Sequence, residues 1–310
     1  MNLQRTDFMK NFIDIKDFTA EEITELLNSA IENKNQNAIS EKLLSGKNLI
    51  LFFEKNSTRT RLSFDLAVKQ LGGSSIILNG SDIHLSSGKE SLSDTIKTFS
   101  LYSDGVVMRV NNHQTILDTL EVSSVPIMNG LSNLSHPCQC MAGLMTIIEE
   151  KGSLENLNIT WFGPITNVAH SWIEAYSKNL GFKLSIFSPD RSKDLYLSKI
   201  SKHKENINVE SIIHNQIDDE ILSAADVIMT DTWQSMGEKS DEKVIKELNG
   251  FRVTKSLMDK AKDDCIFTHC LPANRGQEVE ESVIDGANSR IWEEASNRLH
   301  IQKQILRTLI

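Results

Sequence analysis

The 310-residue sequence lacks several features that mark common classes of protein. It has no apolar run close to the about 20 residues of a membrane span, and its first residues, MNLQRTDFMK, lack the apolar core of a signal peptide. It also lacks an excess of basic residues, because its formal net charge is -9. Nucleic acids and anionic membranes bind basic surfaces, so we expect neither as a partner. A cytoplasmic protein with only local anion-binding groups is expected.

The sequence also lacks the motifs of metal and dinucleotide sites. Its four cysteines form two close pairs, Cys138 with Cys140 and Cys265 with Cys270, and neither pair has the CxxC spacing of a zinc site. No GxGxxG sequence is present, which argues against a dinucleotide-binding turn. We therefore expect free thiols, no metal and no cofactor.

Length and hydrophobic pattern indicate the fold class. The length predicts about two domains. Apolar runs alternate with helical patterns, which indicates parallel sheets wrapped by helices. We predict an α/β protein with two doubly wound parallel-sheet domains and an active-site cleft between them. The predicted boundaries are residues 1–150 for the first domain, 151–292 for the second, and 293–310 for a last helix that packs back on the first.

The segment Ser57-Thr58-Arg59-Thr60-Arg61 is the most informative stretch of the chain. It follows the apolar strand pattern of residues 48–53 and starts a helical one. Unpaired N–H groups at a helix N-terminus, together with hydroxyl and guanidinium groups, can bind phosphate. An ordinary N-cap followed by solvated arginines is the alternative. Side chains two residues apart on a helix point in different directions, so the two arginines cannot both face one ligand. We therefore assign Arg59 to the phosphate, and to Arg61 either a supporting role in the site or a contact with another subunit.

Other polar groups follow predicted strands. Arg109 ends one strand, and His136 and Gln139 lie on one face at the start of a helix that Pro137 begins. The alternatives are a surface arginine and a histidine cap. In the second half, DTWQSMG at 231–237 and HCLP at 269–272 stand at strand ends, where either could be a structural loop. A polar loop between Gly80 and Gly88 could be a lid.

These motifs resemble those of the aspartate and ornithine carbamoyltransferases over nearly the whole chain. FxKxSTRTR is similar to the family's carbamoyl-phosphate signature, while DxxxSMG and HCLP are similar to motifs of its ornithine-specific members. The resemblance implies transfer of a carbamoyl group from carbamoyl phosphate to the δ-amine of L-ornithine, giving L-citrulline and phosphate in arginine biosynthesis. It also implies a homotrimer, or a multiple of trimers, in which the lid reaches a neighbouring subunit.

The resemblance assigns site residues to both substrates. Those implied for carbamoyl phosphate are Ser57, Thr58, Arg59, Thr60, Arg109, His136, Gln139, Cys270, Leu271 and Arg298. Those implied for ornithine are Asn167, Asp231, Ser235 and Met236, with His84 and Lys89 as lid candidates. The residues expected to act in catalysis are Arg109, His136, Asp231 and Cys270.

Positioning and charge stabilisation are the expected source of catalysis, because phosphate is already a good leaving group. Arg109, His136 and Thr60 would bind the carbonyl oxygen as it becomes an oxyanion, and Gln139 would bind the carbamoyl NH₂. The amine attacks directly, so Cys270 is not expected to form an acyl-enzyme.

One segment departs from the family pattern. The usual GDGNN is replaced by Gly163-Pro164-Ile165-Thr166-Asn167, which keeps only the first and last residues. An N-acylornithine carbamoyltransferase therefore stays an alternative. Aspartate carbamoyltransferase is disfavoured by the DxxxSMG and HCLP motifs. A non-catalytic anion-binding module on the same fold is a third possibility.

Overall fold

The computed structural model describes residues 11–36, 42–83, 90–203, 209–233 and 242–310. These form two compact units. The first comprises the described residues up to Ala142 together with Arg298–Ile310, and the second is Gly143–Asn297. No helix within the described ranges is both long and apolar enough to cross a membrane.

The first unit is built on a four-stranded parallel sheet. Its strand order is β2-β1-β3-β4. The strands are β1 (Asn48–Phe53), β2 (Ser74–Asn79), β3 (Gly105–Arg109) and β4 (Ile127–Leu131). Its helices are α1 (Ala20–Asn35), α2 (Thr58–Gln70), α3 (Leu92–Tyr102), α4 (His113–Leu120) and the start of α5 (Pro137–Lys151). One apolar core joins the central strands to α3 and α4, with Phe52, Phe99, Val106 and Ile116 buried in it.

The second unit is built on a five-stranded parallel sheet. Its strand order is β7-β6-β5-β8-β9. The strands are β5 (Asn158–Phe162), β6 (Lys183–Phe187), β7 (Ile213–His214), β8 (Val227–Thr230) and β9 (Ile266–His269). The helices are α6 (Asn167–Ser177), α7 (Asp190–Lys202), α8 (Asp219–Ser223), α9 (Glu242–Leu248), α10 (Lys255–Met258), α11 (Glu281–Ile284) and the start of α12 (Ile291–Leu309). The two parallel sheets confirm the predicted fold class.

Local signals in the sequence set several helix ends. Thr19 and Glu22 form a reciprocal capping box at the start of α1. The helix α2 begins at Thr58, in the segment predicted to start it, and Ser57 is its N-cap. The helix α5 begins at Pro137, as predicted. Gly152, directly after α5, has a φ of +83°, a left-handed conformation that glycine adopts without a steric cost.

The last helix was predicted to begin at residue 293, and α12 begins two residues earlier, at Ile291. Glu293 and Glu294 occupy its first turn, where acidic side chains complement the positive end of the helix dipole. The strand β4 begins at Ile127, directly after Pro126, which has no N–H to donate to a sheet.

Candidate active site

Four of the polar groups singled out in the sequence lie where a sheet reverses its strand order. In the first unit this point is between β1 and β3, and in the second it is between β5 and β8. Ligands of open parallel sheets bind beyond the carboxyl ends of strands at such points. The α2 N-terminus follows β1, and Arg109 is the last residue of β3. Likewise, Asn167 follows β5 and Asp231 follows β8.

The N-terminus of α2 forms one side of the first unit's site. The Ser57 hydroxyl accepts a hydrogen bond from the Thr60 N–H at 3.3 Å, as an N-cap does. Thr58 is exposed at the first helical position, Arg59 is half-buried, and Thr60 is buried. Arg61 is exposed. The two arginines therefore differ in environment, which agrees with the different roles predicted for them.

Two guanidinium groups meet at the Thr60 hydroxyl. Arg109 donates to its oxygen from Nη1 at 3.2 Å, and Arg298 donates from Nη2 at 3.0 Å. All three side chains are buried. Because a hydroxyl accepts two hydrogen bonds and donates one, the Thr60 proton remains to be donated to a ligand. Arg298 also donates from Nη1 to the Gln139 Oε1 at 2.6 Å, which orients that amide.

His136 completes this group and is kept neutral. Burial of its ring lowers its pKa well below the usual value, and the charges of Arg298, Arg109 and Arg59 lower it further. The imidazole therefore adds no positive charge to this group. Thr60, Arg109, His136 and Arg298 form an electropositive cluster that suits an anion with a polarised carbonyl oxygen.

Two buried, hydrogen-bonded residues that precede this cluster were not predicted from the sequence. Asp14 and Ser135 are both buried, and the Ser135 hydroxyl donates to the Asp14 carboxylate directly before His136. They are 121 positions apart, so no spacing pattern marks them as a pair.

The second unit brings Asp231 and Cys270 together. The Cys270 thiol donates to Oδ1 of the buried Asp231, which also accepts from the Thr232 N–H at 2.7 Å. This fixes one carboxylate oxygen and places the thiol beside a negative charge. The arrangement suits an acceptor that carries an amine or ammonium group.

The turn after β9 is held by a buried His269. Its Nδ1 accepts from the Leu271 N–H at 2.9 Å, so its Nε2 carries the proton that is donated to Glu278 at 3.3 Å. The same Glu278 oxygen accepts from the Asn274 N–H. Leu271 has a φ of +52°, a left-handed conformation that costs a residue with a side chain about 1–2 kcal/mol. Glu278 was not singled out in the sequence, where nothing distinguishes it from neighbouring acidic residues.

The altered segment after β5 forms a defined turn. Trp161 donates to the Pro164 carbonyl at 3.1 Å, and the Ile165 N–H donates to Ser192 at 2.9 Å. Thr166 is the N-cap of α6, so Asn167 is the first residue of that helix and is half-buried. Asn167 thus stands at a helix N-terminus despite the changed sequence before it.

Four predicted site residues lie outside the described residues. They are His84, Lys89, Ser235 and Met236.

Comparison with known proteins agrees with the sequence motifs. Residues 10–149 match the family described as "Aspartate/ornithine carbamoyltransferase, carbamoyl-P binding domain", and residues 155–309 match its "Asp/Orn binding domain". The ornithine carbamoyltransferase of Rhodopseudomonas palustris (strain BisA53) is 40% identical over 304 residues, covering 96% of each chain.

Solved structures give the same result. The ornithine carbamoyltransferase of Pyrococcus furiosus is 40% identical, with a TM-score of 0.86 and 96% of each chain covered. The anabolic enzyme of Campylobacter jejuni is 39% identical, with a TM-score of 0.84, covering 97% of this chain and 99% of its own. The chain therefore belongs to the aspartate/ornithine carbamoyltransferase family.

Proposed function

We propose that this chain is an ornithine carbamoyltransferase that converts carbamoyl phosphate and L-ornithine into L-citrulline and phosphate. Both halves of the required chemistry are present as separate clusters, one electropositive and one centred on a carboxylate. Relatives with about 40% identity over 96% of the chain carry this name. In this proposal residues 1–150 with the last helix bind carbamoyl phosphate, and residues 151–292 bind ornithine.

The first cluster is suited to carbamoyl phosphate. Its phosphate would bind the α2 N-terminus and Arg59, where N–H groups and a guanidinium group supply positive charge. Its carbonyl oxygen would accept from Arg109, His136 and the Thr60 hydroxyl. Because Arg109 and Thr60 already contact each other, these donors are ordered before the substrate binds. Preorganised donors stabilise an oxyanion at little reorganisation cost.

The second cluster is suited to the amino acid. Asp231 would pair with the α-ammonium of ornithine, and Asn167 would bind another polar group of the amino-acid end. Cys270, which donates to Asp231, would lie beside the incoming substrate. Ser235 and Met236 would complete this pocket.

The reaction itself needs no covalent enzyme intermediate. The deprotonated δ-amine forms a bond to the carbamoyl carbon, and the carbonyl oxygen becomes an oxyanion. When the carbonyl re-forms, the bond to the phosphate oxygen breaks and phosphate leaves with the electron pair. The nitrogen, positively charged after the attack, passes one proton to the departing phosphate, which leaves citrulline.

The main support for this proposal is one observation: Arg109 and Arg298 both donate to the Thr60 hydroxyl, beside a neutral His136. An acceptor panel tests it: carbamoyl phosphate is supplied with ornithine, acetylornithine, succinylornithine, aspartate or putrescine, and the carbamoylated product is measured. We expect citrulline formation to dominate, with Arg109→Met as the inactive control. No product with any acceptor would support a non-catalytic anion-binding module instead.

One observation favours a second candidate, an N-acylornithine carbamoyltransferase. The turn before α6 contains Pro164 and Ile165, which are bulkier than the family's usual residues and are fixed by hydrogen bonds at both ends. Such a turn could shape a pocket for an acyl group. Higher activity with acetylornithine than with ornithine in the same panel would support this candidate.

We also propose a homotrimer in the cytoplasm that acts in arginine biosynthesis. Leu62 and Leu66 are exposed one turn apart on α2, and Ile76 is exposed on the adjacent strand β2. An exposed apolar surface of this kind suits a subunit interface, and one such patch per subunit can close a ring. All four cysteines are free thiols, as expected in a reducing compartment. Relatives from Pyrococcus furiosus and Campylobacter jejuni are named anabolic.

A further inference from the structure

The N-terminal segment places the carboxylate of Asp14 near the carboxyl end of β4. The Phe12 N–H donates to the Ile127 carbonyl at 2.9 Å, and the Asn129 N–H donates to the Phe12 carbonyl at 2.8 Å. The segment therefore runs beside β4 as a short parallel extension of the sheet. Two residues later, Asp14 is only 1% exposed.

Each oxygen of the Asp14 carboxylate accepts a hydrogen bond. Oδ1 accepts from the Ser135 hydroxyl, and Oδ2 accepts from His113 Nε2 at 3.1 Å. Lys16 adds a charge at 3.5 Å, and the Asp14 N–H donates to Asp17. Burial alone would raise the pKa of Asp14, but His113, Ser135 and Lys16 together lower it to about 2. The carboxylate is ionised at any pH at which the enzyme would work.

The same network holds the turn that precedes α5. The Ser132 hydroxyl accepts from the N–H groups of Leu134 and Ser135, at 3.2 and 3.1 Å. It also contacts His113 Nδ1 at 2.9 Å. His113 therefore joins the Ser132 hydroxyl to the Asp14 carboxylate, and the turn is held at Ser132 and at Ser135.

This turn ends directly before His136, the first residue of α5's end of the electropositive cluster. His136 follows Ser135 directly, and Gln139 lies in the first turn of α5. A shift of Ser135 would move His136 relative to Arg109 and Arg298, whose charges act on its ring. Small displacements of catalytic groups have large effects on rate.

We propose that Asp14 is a positioning residue of the carbamoyl-phosphate site, which it serves by fixing Ser135 and thereby His136. This inference rests on the proposed function of the first unit's cluster. Asp14 acts through Ser135 and is not assigned a contact with the substrate.

Two variants and a matched control test this role. Asp14→Asn replaces one acceptor oxygen with an NH₂ group, so only one of the two donors keeps an acceptor. Ser135→Ala removes the contact with Asp14, together with the hydrogen bond that the Ser135 hydroxyl accepts from Asn129 Nδ2 at 2.9 Å, and leaves the carboxylate in place. Asp104→Asn is the control, because Asp104 accepts from Lys47 and the Asn48 N–H at the opposite, amino-terminal edge of the same sheet.

We expect Asp14→Asn and Ser135→Ala to raise the KM for carbamoyl phosphate about tenfold, since a buried hydrogen bond to a charged group is lost. The KM for ornithine should change by less than about twofold, and Asp104→Asn should leave both values unchanged. The double variant should lose less than the sum of the two single losses, because both substitutions remove the same contact between Asp14 and Ser135. Calorimetry should show a matching loss of affinity for inorganic phosphate.

The outcomes separate this inference from the proposed function. If the wild type forms citrulline but both variants keep its KM for carbamoyl phosphate, Asp14 has no positioning role. Additive effects in the double variant would also overturn it. If the wild type forms no citrulline, the proposed function fails, and phosphate affinity of the three variants still decides whether Asp14 orders the anion site. If Asp14→Asn does not fold, Ser135→Ala alone decides the question.

Discussion

Arg298 in the last helix donates to the hydroxyl of Thr60 in the first turn of α2, at 3.0 Å and across 238 positions of sequence. Arg109 donates to the same oxygen. Two positive charges are thereby held close together in a buried place, an arrangement that favours binding of an anion because the anion offsets their repulsion.

Thr60→Val tests the shared hydroxyl. The substitution keeps the shape of the side chain but leaves both guanidinium groups without this acceptor and removes a donor to the substrate. We expect kcat/KM for carbamoyl phosphate to fall by about 10² or more. Thr98→Val is a matched control, because Thr98 is an exposed helical threonine whose hydroxyl donates to a backbone carbonyl. Equal activity of the two variants would contradict the role of Thr60.

Arg59→Ala tests the phosphate assignment. A charged contact with the phosphate is lost, so we expect a loss of about 2–4 kcal/mol in kcat/KM for carbamoyl phosphate. Arg61→Ala, two residues further along the same helix, should lose much less because Arg61 is exposed. Steady-state kinetics at subsaturating carbamoyl phosphate measures the difference. An equal loss in the two variants would show that Arg59 has no special contact with the phosphate.

His136→Gln tests the neutral state of His136 through stability. The pKa of His136 is lowered well below its usual value in the folded protein, so below about pH 6.5 the unfolded chain binds a proton that the folded one does not. This histidine therefore makes the protein less stable as the pH falls below 6.5, by up to about 1.4 kcal/mol per pH unit.

Urea unfolding at pH 7.5 and 5.5 measures this effect. The wild type should lose more stability between these values than His136→Gln does. Asp14 does not interfere, because the pKa of its carboxyl is about 2 when folded and that of the unfolded group is also below this window. Equal losses in the two proteins would mean that His136 is not held neutral by the fold.

The choice of acceptor tests Asp231. Its carboxylate can pair with the free α-ammonium of ornithine but not with an acylated, neutral nitrogen. A buried carboxylate without its cation is costly, so kcat/KM for acetylornithine should be lower by about 10² or more. Asp231→Asn should lose most of its activity with ornithine and reduce this discrimination. Comparable kcat/KM values for the two acceptors in the wild type would contradict the assignment.

The proposed trimer can be tested by substitution in the exposed apolar surface of α2 and β2. Sedimentation velocity should give a trimer, and Leu66→Glu should shift the protein towards smaller species because a buried charge is costly at an interface. Leu195→Glu is the control, since Leu195 is exposed on α7 in the other unit. An active wild-type monomer in dilute solution would rule out a shared active site.

Local sequence determined much of the fold and the identity of the candidate residues. Strand and helix patterns, the start of a helix in the segment from Ser57 to Arg61 and the helix start at Pro137 depend on neighbouring residues, so they could be predicted and are confirmed. The last helix was likewise predicted to within two residues of its observed start at Ile291.

The tertiary structure decided which of these residues meet. Arg298 contacts Thr60, and Asp14 contacts Ser135, across 238 and 121 positions. Such pairs depend on the order of the strands in the sheet and on the packing of the last helix, and no local spacing encodes them. The lowered pKa of His136 has the same origin, because burial and three arginines distant in sequence produce it. The sequence thus determined the types of chemical group present, whereas their charge states and partners were set by long-range packing.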